Sequence, residues 1–461
     1  MLLDEGQLQA GLDELVAKHR VPGAVCAMWH AGRMSAAATG TANLNTGEPM
    51  TVDTGYLTGS ITKVVLATII MTVVEEGLLE LDAPVVSYAP DVQFGADVDV
   101  ARSLTVRHLI NHSSGVDTAD LFAPARPYPE GIYDYLEPMA RAGKLTDPGV
   151  VSSYNNIGWI VAEMILRNVT GQTFHELLQR RIVEPLGLTR TVTSVHKAIL
   201  HRVAVGSFLT AAGDHRPTSQ FMYPDSWAAP GTTPITTVVD TLAFLAMHLR
   251  GGVSADNGGR HLSAASVEKM QTPTSPDPTG PASGFGLGWR YVEADGRRVL
   301  SHGGGSPGGT AHALISPADD CALVAFVNSD VGLTTVHRDL VDLVLPRGPS
   351  PLAAPMGVAR GDVEVHPFVG RYRRAGEVMD ITADEGRLTV RVVPIADELV
   401  GAMATLSDVS AFSAVPTSAS SLFPADDRFL GGVTALTFYE PGPRGFELVY
   451  FGGRLSRRIA S

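Results

Sequence analysis

Cysteine and lysine are scarce in this 461-residue chain, positive charge is in deficit, and no apolar run is long. The two cysteines, Cys26 and Cys321, allow one disulfide at most, and both lie in apolar, strand-like runs where a small buried thiol is the plainer reading. A reducing compartment is compatible with that. The net charge of −13 works against contact with phosphate backbones and anionic lipid surfaces, so neither nucleic acid nor a membrane is expected as a partner. The most apolar stretch, 64–74, is flanked by Lys63 and Glu75-Glu76 and falls short of the ~20 residues a membrane span needs. It reads as a buried helix. The opening Met-Leu-Leu-Asp-Glu-Gly has neither the basic start nor the apolar core of a secretion signal, while Leu8, Leu12, Leu15 and Val16 suit an amphipathic helix. A cytoplasmic location is expected. Five lysines among 35 basic residues leave arginine, which does not give up its proton, as the usual cation. Any lysine in a chemical role therefore stands out.

What is present is an ordinary globular composition, 44% hydrophobic and 18% charged, without repeats or low-complexity tracts. Single cores stop growing near ~250–300 residues, so two domains are expected. Residues 21–28 and 34–40 read as a hairpin turned by Ala31-Gly32. A central helix should run from Ser60 to about 76. Further helical patterns fall near 106–111, 157–169, 173–182 and 238–248, with strands at 299–301, 311–316 and 321–327. Strands at both ends and helices between them suggest one sheet covered by helices. Residues 346–361, dense in Pro and Gly, read as a linker between a domain at 1–345 and another at 362–461. In the second, 368–372, 378–381, 388–393, 435–439 and 446–451 look like short strands of a small all-β barrel or sandwich.

A serine followed three residues later by lysine places both side chains on one helix face, where an amine can take the hydroxyl proton. Three such pairs occur: Ser60/Lys63, Ser194/Lys197 and Ser266/Lys269. Context favours the first, because it opens a strongly apolar helix. Burial disfavours the charged lysine there, and the helix N-terminus favours a developing anion. Tyr154-Asn155-Asn156 is the one Tyr-x-Asn in the chain and precedes a helix. Its phenol can relay a proton, and Asn156 can accept from an ammonium and donate to a carbonyl. The overlapping Ser153-Tyr154-Asn155 ranks second, and a helix cap is the plain alternative. His302-Gly303-Gly304-Gly305 follows an apolar strand, where glycines let a substrate backbone approach. The Gly305 N–H can join that of Ser60 as an oxyanion hole. The run 304–308 also matches Gly-x-Ser-x-Gly, but Pro307 lacks the N–H that this elbow needs. His108 and His112 have no accompanying glutamate motif, so zinc chemistry finds no support and packing or hydrogen bonding is expected of both.

In that order and with those separations, Ser60-x-x-Lys63, Tyr154-x-Asn156 and His302-Gly303-Gly304 resemble the motifs of the class C β-lactamase and penicillin-binding-protein superfamily. The resemblance spans roughly residues 5 to 345. Val21-Pro-Gly-Ala24, Gly59-Ser60-Ile-Thr-Lys63 and Leu109-Ile-Asn-His-Ser-Ser-Gly115 support it. It implies an α/β fold, an antiparallel sheet flanked by helices with a helical subdomain, an acyl-Ser60 intermediate, and no metal or organic cofactor. One departure matters: β-lactamases and cell-wall peptidases usually begin the third motif with lysine, and His302 stands here. A histidine is similar to D-aminopeptidases, to esterases of this fold, and to penicillin-binding-protein-type thioesterases that release and cyclise nonribosomal peptides. The last group also resembles this chain in its length and in a C-terminal lipocalin-like domain. A peptidyl thioester delivered by a carrier protein, or another small peptide or ester, is the substrate this implies. Lys63 and Tyr154 would move the protons, and His302 would orient Tyr154 or touch substrate. Arg454, among the C-terminal arginines 444, 454, 457 and 458, would hold a substrate carboxylate or carbonyl unless these are simply solvated. A D-peptidase or esterase, and a non-catalytic peptide-binding sensor, are the alternatives.

Overall fold

The computed structural model describes residues 3–94, 98–117, 126–345, 360–384, 386–395, 410–425 and 435–460. Nine antiparallel strands form the main sheet, in the order Ser275–Asp277, Gly280–Phe285, Arg290–Ala294, Arg297–Ser306, Gly309–Ser316, Cys321–Val327, Gly23–His30, Arg33–Asn43 and Glu48–Pro49. Ala31 and Gly32, both at positive φ (47° and 82°), make the tight turn of the first hairpin. The central strands are buried almost continuously, as a sheet covered on both faces requires, and successive side chains enter opposite cores. Ala24, Cys26 and Met28, with Leu323 and Ala325, meet Leu8, Leu12, Leu340 and Val341 of the helices Glu5–His19 and Val336–Val344. Val25 and Ala27, with Val324 and Phe326, face the opposite core, built on the helices Thr62–Glu75, Ile157–Thr170 and Val238–Leu249. Both cysteines are buried free thiols. No helix among the described residues is long and apolar enough to cross a membrane.

A closed eight-stranded barrel follows, from Gly370–Arg374 to Arg454–Ile459, sealed where Arg371 pairs with Ile459. Phe368, Tyr372, Ile381, Val390, Phe438 and Val449 help fill it. Arg458 closes one end, donating to Tyr372 Oη (2.7 Å), Phe446 O (2.6 Å) and Val369 O (2.9 Å). The expected linker lies almost wholly outside the described residues, which stop at 345 and resume at 360.

Seven strands of the main sheet and barrel escaped sequence reading, among them the two-residue Glu48–Pro49 at one sheet edge. Ser275–Asp277, Gly280–Phe285 and Arg290–Ala294 lie at or beside a sheet edge, where Pro276 costs no ladder bond on the open side. Ser410–Ser418, Ser421–Pro424 and Arg454–Ile459 are held by barrel closure rather than by apolar alternation.

The barrel packs directly on the first domain. Leu448, Tyr450 and Leu455 share an apolar cluster with Leu145. The Asp117 carboxylate accepts the Ala375 amide at 2.9 and 3.1 Å. Tyr450 Oη donates to Asp277 (2.9 Å), a buried carboxylate that also takes Arg290 (2.9 Å) and Ser152 Oγ (3.2 Å).

Candidate active site

Ser60 occupies a 3-10 turn, Gly59–Ile61, at the head of the helix Thr62–Glu75. That helix is apolar on nearly every side, and Lys63 is the one charged group in its buried first turns. Its Nζ lies 3.0 Å from Ser60 Oγ and donates to the Pro230 carbonyl. The Tyr154 ring centroid is 5.1 Å from the same nitrogen.

Tyr154 sits just before the helix Ile157–Thr170, gripped from three sides. His112 stacks on its ring at 4.4 Å and 25°. Its amide donates to the Gly453 carbonyl (2.9 Å), and Leu455 N donates to neighbouring Ser153 Oγ (3.1 Å). The turn between the last two barrel strands therefore reaches the centre, and the Arg454 guanidinium stands 5.4 Å from the Tyr154 ring. Asn155 acts structurally: Oδ1 accepts Gly158 N (2.9 Å), Nδ2 donates to Val116 O (3.1 Å), and its amide donates to His112 Nδ1 (3.0 Å). That removes the Ser153/Asn155 alternative, and it leaves the Asn156 side chain out of helix capping.

The strand Arg297–Ser306 pairs on one side only as far as Ser301 with Arg290, so 302–306 presents an edge. Thr58 and Gly59 press on it. A Cβ on Gly304 would overlap the Thr58 carbonyl oxygen, and one on Gly59 would overlap the Gly305 backbone. Gly304 thus makes room for the chain's own Ser60 turn, whereas a Cβ on Gly305 would meet nothing within 4 Å. A Cβ on Gly303 would lie 3.6 Å from the Leu333 side chain, an ordinary contact. Pro307-Gly308 is the hairpin turn that pairs Ser306 with Gly309, which disposes of the Gly-x-Ser-x-Gly match.

His302 Nδ1 is 2.7 Å from the Gly303 carbonyl, so that nitrogen carries the hydrogen and Nε2 holds a lone pair. Nε2 is buried without a hydrogen-bond partner. Burial foremost, then the Lys63 charge, pushes the His302 pKa down to about 3. The same two causes hold His112 well below the usual histidine range. Both imidazoles are neutral at pH 7.

Ser194 starts a short surface helix and Lys197 is exposed; Ser266 and Lys269 lie on another helix with the lysine in solvent. His108 Nδ1 accepts the Thr105 amide (3.2 Å), one of the two structural roles expected of it. Among the described residues no cluster of His, Cys, Asp or Glu could hold a metal ion. Of the C-terminal arginines, Arg444 is the solvated one, 3.6 Å from Glu447, while Arg457 donates to the Leu145 carbonyl and Arg458 closes the barrel. His112 is the site neighbour that sequence reading assigned only to packing or hydrogen bonding; its place in Leu109–Gly115 was the available signal.

Over residues 8–345 the chain matches the model of the Beta-lactamase family. It is 30% identical over 384 residues to Penicillin-binding protein 4 of Amycolatopsis lactamdurans, covering 82% of this chain and 99% of that one. Among solved structures it is similar to SurE with D-Leu (TM-score 0.75, 24% identity, 99% of each chain). It is also similar to the D-amino acid amidase of Ochrobactrum anthropi SV3 complexed with D-phenylalanine (TM-score 0.62, 26% identity, 74% of this chain and 97% of that one).

Proposed function

The chain belongs to the β-lactamase family of serine enzymes, and from that premise we propose that it releases and macrocyclises a peptide presented as a thioester, through an acyl-Ser60 intermediate. The observation that carries acyl transfer is the Lys63 amine 3.0 Å from the Ser60 hydroxyl. Lys63, as free amine, takes the Ser60 proton while Oγ attacks the carbonyl carbon. The Ser60 and Gly305 N–H groups receive the oxyanion. Tyr154 relays the proton to the departing thiol, which a carrier protein would have tethered. The substrate's own amine then attacks the acyl-enzyme and closes a ring, returning its proton through Tyr154. Water in its place gives the free acid, so a dry cleft favours cyclisation.

Two features support a peptide thioester over a β-lactam. His302 is neutral, so the third motif offers no cation to a β-lactam carboxylate. The cation over Tyr154 comes instead from Arg454 in the barrel, placed to hold a backbone carbonyl or carboxylate of a longer substrate. The likeness to a D-amino acid amidase favours a D-residue at the bond cleaved, and supports hydrolysis as the second reading.

Mass spectrometry of products from a peptidyl thioester ending in a D-residue, with wild type and Ser60→Ala, tests this. A product lighter than the acid by one water, absent in Ser60→Ala, is the expected outcome. Free acid alone would establish the hydrolase. Unchanged function in a folded Ser60→Ala protein would establish the non-catalytic sensor.

A further inference from the structure

Three consecutive amides carry the phenol of Tyr154, and a single residue takes two of them. Ser153 N donates to the His112 carbonyl at 2.8 Å, Tyr154 N to the Gly453 carbonyl at 2.9 Å, and Asn155 N to His112 Nδ1 at 3.0 Å. The barrel holds the middle amide and His112 holds both flanks. The His112 imidazole also stacks on the Tyr154 ring, with centroids 4.4 Å apart and planes at 25°.

This double hold goes with an uncommon backbone. His112 lies at φ 62°, in the left-handed region that few residues other than glycine enter. The chain reverses there just after the helix Val106–Ile110, and Asn111 Oδ1 braces the reversal by accepting Ser113 N (3.1 Å) and Ser113 Oγ (2.6 Å). The imidazole is itself fixed and fully buried, with Phe285 edge-on at 4.6 Å and Trp159 at 5.8 Å. Because Nδ1 accepts a hydrogen bond, the ring's own hydrogen sits on Nε2, which is buried without a hydrogen-bond partner. A buried unpaired donor is costly, and a phenyl ring would fill the same space without it. Packing alone therefore does not account for an imidazole here; the Nδ1 acceptor does.

We infer that His112 is the positioning residue of the proton relay: its carbonyl and Nδ1 fix the backbone on either side of Tyr154, and its ring fixes the plane of the phenol, so that Tyr154 meets the leaving group within reach of proton transfer. The inference rests on the reading of Tyr154 as the relay and Ser60 as the nucleophile. It predicts a loss confined to leaving groups that need a proton, because a displaced general acid slows only the step that it serves.

Two esters of one peptide ending in a D-residue test it, the p-nitrophenyl ester, whose leaving group departs as a stable anion, and the methyl ester, whose leaving group must be protonated. Their kcat/KM values report acylation. Acylation of wild type by neither ester overturns the functional reading itself. Tyr154→Phe should lose the methyl ester roughly a hundredfold and the p-nitrophenyl ester far less; equal losses on both would overturn the relay reading. His112→Phe keeps a ring and removes the acceptor, whereas His112→Asn keeps a short acceptor, tolerates the left-handed backbone and removes the ring. Each should cost the methyl ester about tenfold and the p-nitrophenyl ester under about twofold. A smaller folded fraction lowers both rates alike and leaves their ratio unchanged, so either variant carries the test if the other folds poorly. Placed in Tyr154→Phe, His112→Phe should change that ratio no further, since the group it positions is gone. A rate ratio equal to that of wild type in both folded His112 variants overturns the inference.

Discussion

A Cβ added at Gly304 would overlap the Thr58 carbonyl oxygen, yet one added at Gly305 would enter open space. The two neighbours therefore answer to different constraints. Gly304→Ala must push the Thr58–Ser60 turn off the strand edge, which should cost about 1–3 kcal/mol of stability as other forced overpacking does. It should also lower the Ser60 acylation rate by about a hundredfold, because the Ser60 N–H leaves its place. Gly305→Ala should melt within a degree or two of wild type and lose activity only toward acyl groups that need that space. Thermal melts paired with acylation rates read both, and equal losses in the two variants would show the distinction to be wrong. The chemistry of this site was legible because its signals are short: Ser60-x-x-Lys63, Tyr154-x-Asn156 and His302-Gly303-Gly304 are each set by one turn or one strand end. The reason for Gly304 was not legible, since sequence places no other segment beside it.

The C-terminal hairpin shows what an element contributes that no motif contains. Its strands, Gly445–Phe451 and Arg454–Ile459, close the barrel, while its turn, Gly452-Gly453 at φ 60° and 82°, passes a carbonyl to Tyr154 and an arginine to the ring above it. Tyr450 fixes the hairpin by its bond to Asp277, where three parts of the chain meet. Tyr450→Phe removes one hydrogen bond to a buried charged group, a loss of about 1.5–3 kcal/mol. The Tyr154 pocket should open with it, so limited proteolysis should cut between the domains sooner and Ser60 acylation should slow, although residue 450 touches neither Ser60 nor Lys63. Wild-type proteolysis and acylation in Tyr450→Phe would show that the barrel is carried along rather than holding the site. Helices and central strands were readable from apolar periodicity. The edge strands at 275–294, rich in Pro and Gly, were not, because they form by pairing to neighbours already in place.

Across the whole molecule, buried histidines set the response to acid. Burial holds His248, His302 and His312 down to about 3 and His175 and His337 to about 4, and it holds His112 well below the ordinary range. These folded values lie below the unfolded value of about 6.5. Their contribution to stability is therefore complete above pH ~6.5 and is lost as pH falls toward the folded values. Glu163 has the opposite sign: burial holds its folded pKa at about 7, above the ordinary value of 4.5, so it favours the fold at low pH and loses that effect as pH rises through 7. Between about pH 4.5 and 6 the unfolded chain gains six protons on these histidines, and the folded chain keeps one more on Glu163, a net uptake of about five on unfolding. At about 1.4 kcal/mol per proton per pH unit, stability falls by about 7 kcal/mol for each unit of acidification. A stability of about 5–15 kcal/mol is exhausted within one or two such units. The chain should therefore unfold cooperatively near pH 5, before most carboxylates titrate, with uptake of about five protons measurable by parallel pH titration and circular dichroism. Native circular dichroism persisting to pH 4 would mean that these imidazoles find partners or solvent on protonation. His312→Asn should move the midpoint to lower pH, because it removes a proton that the unfolded chain alone can bind.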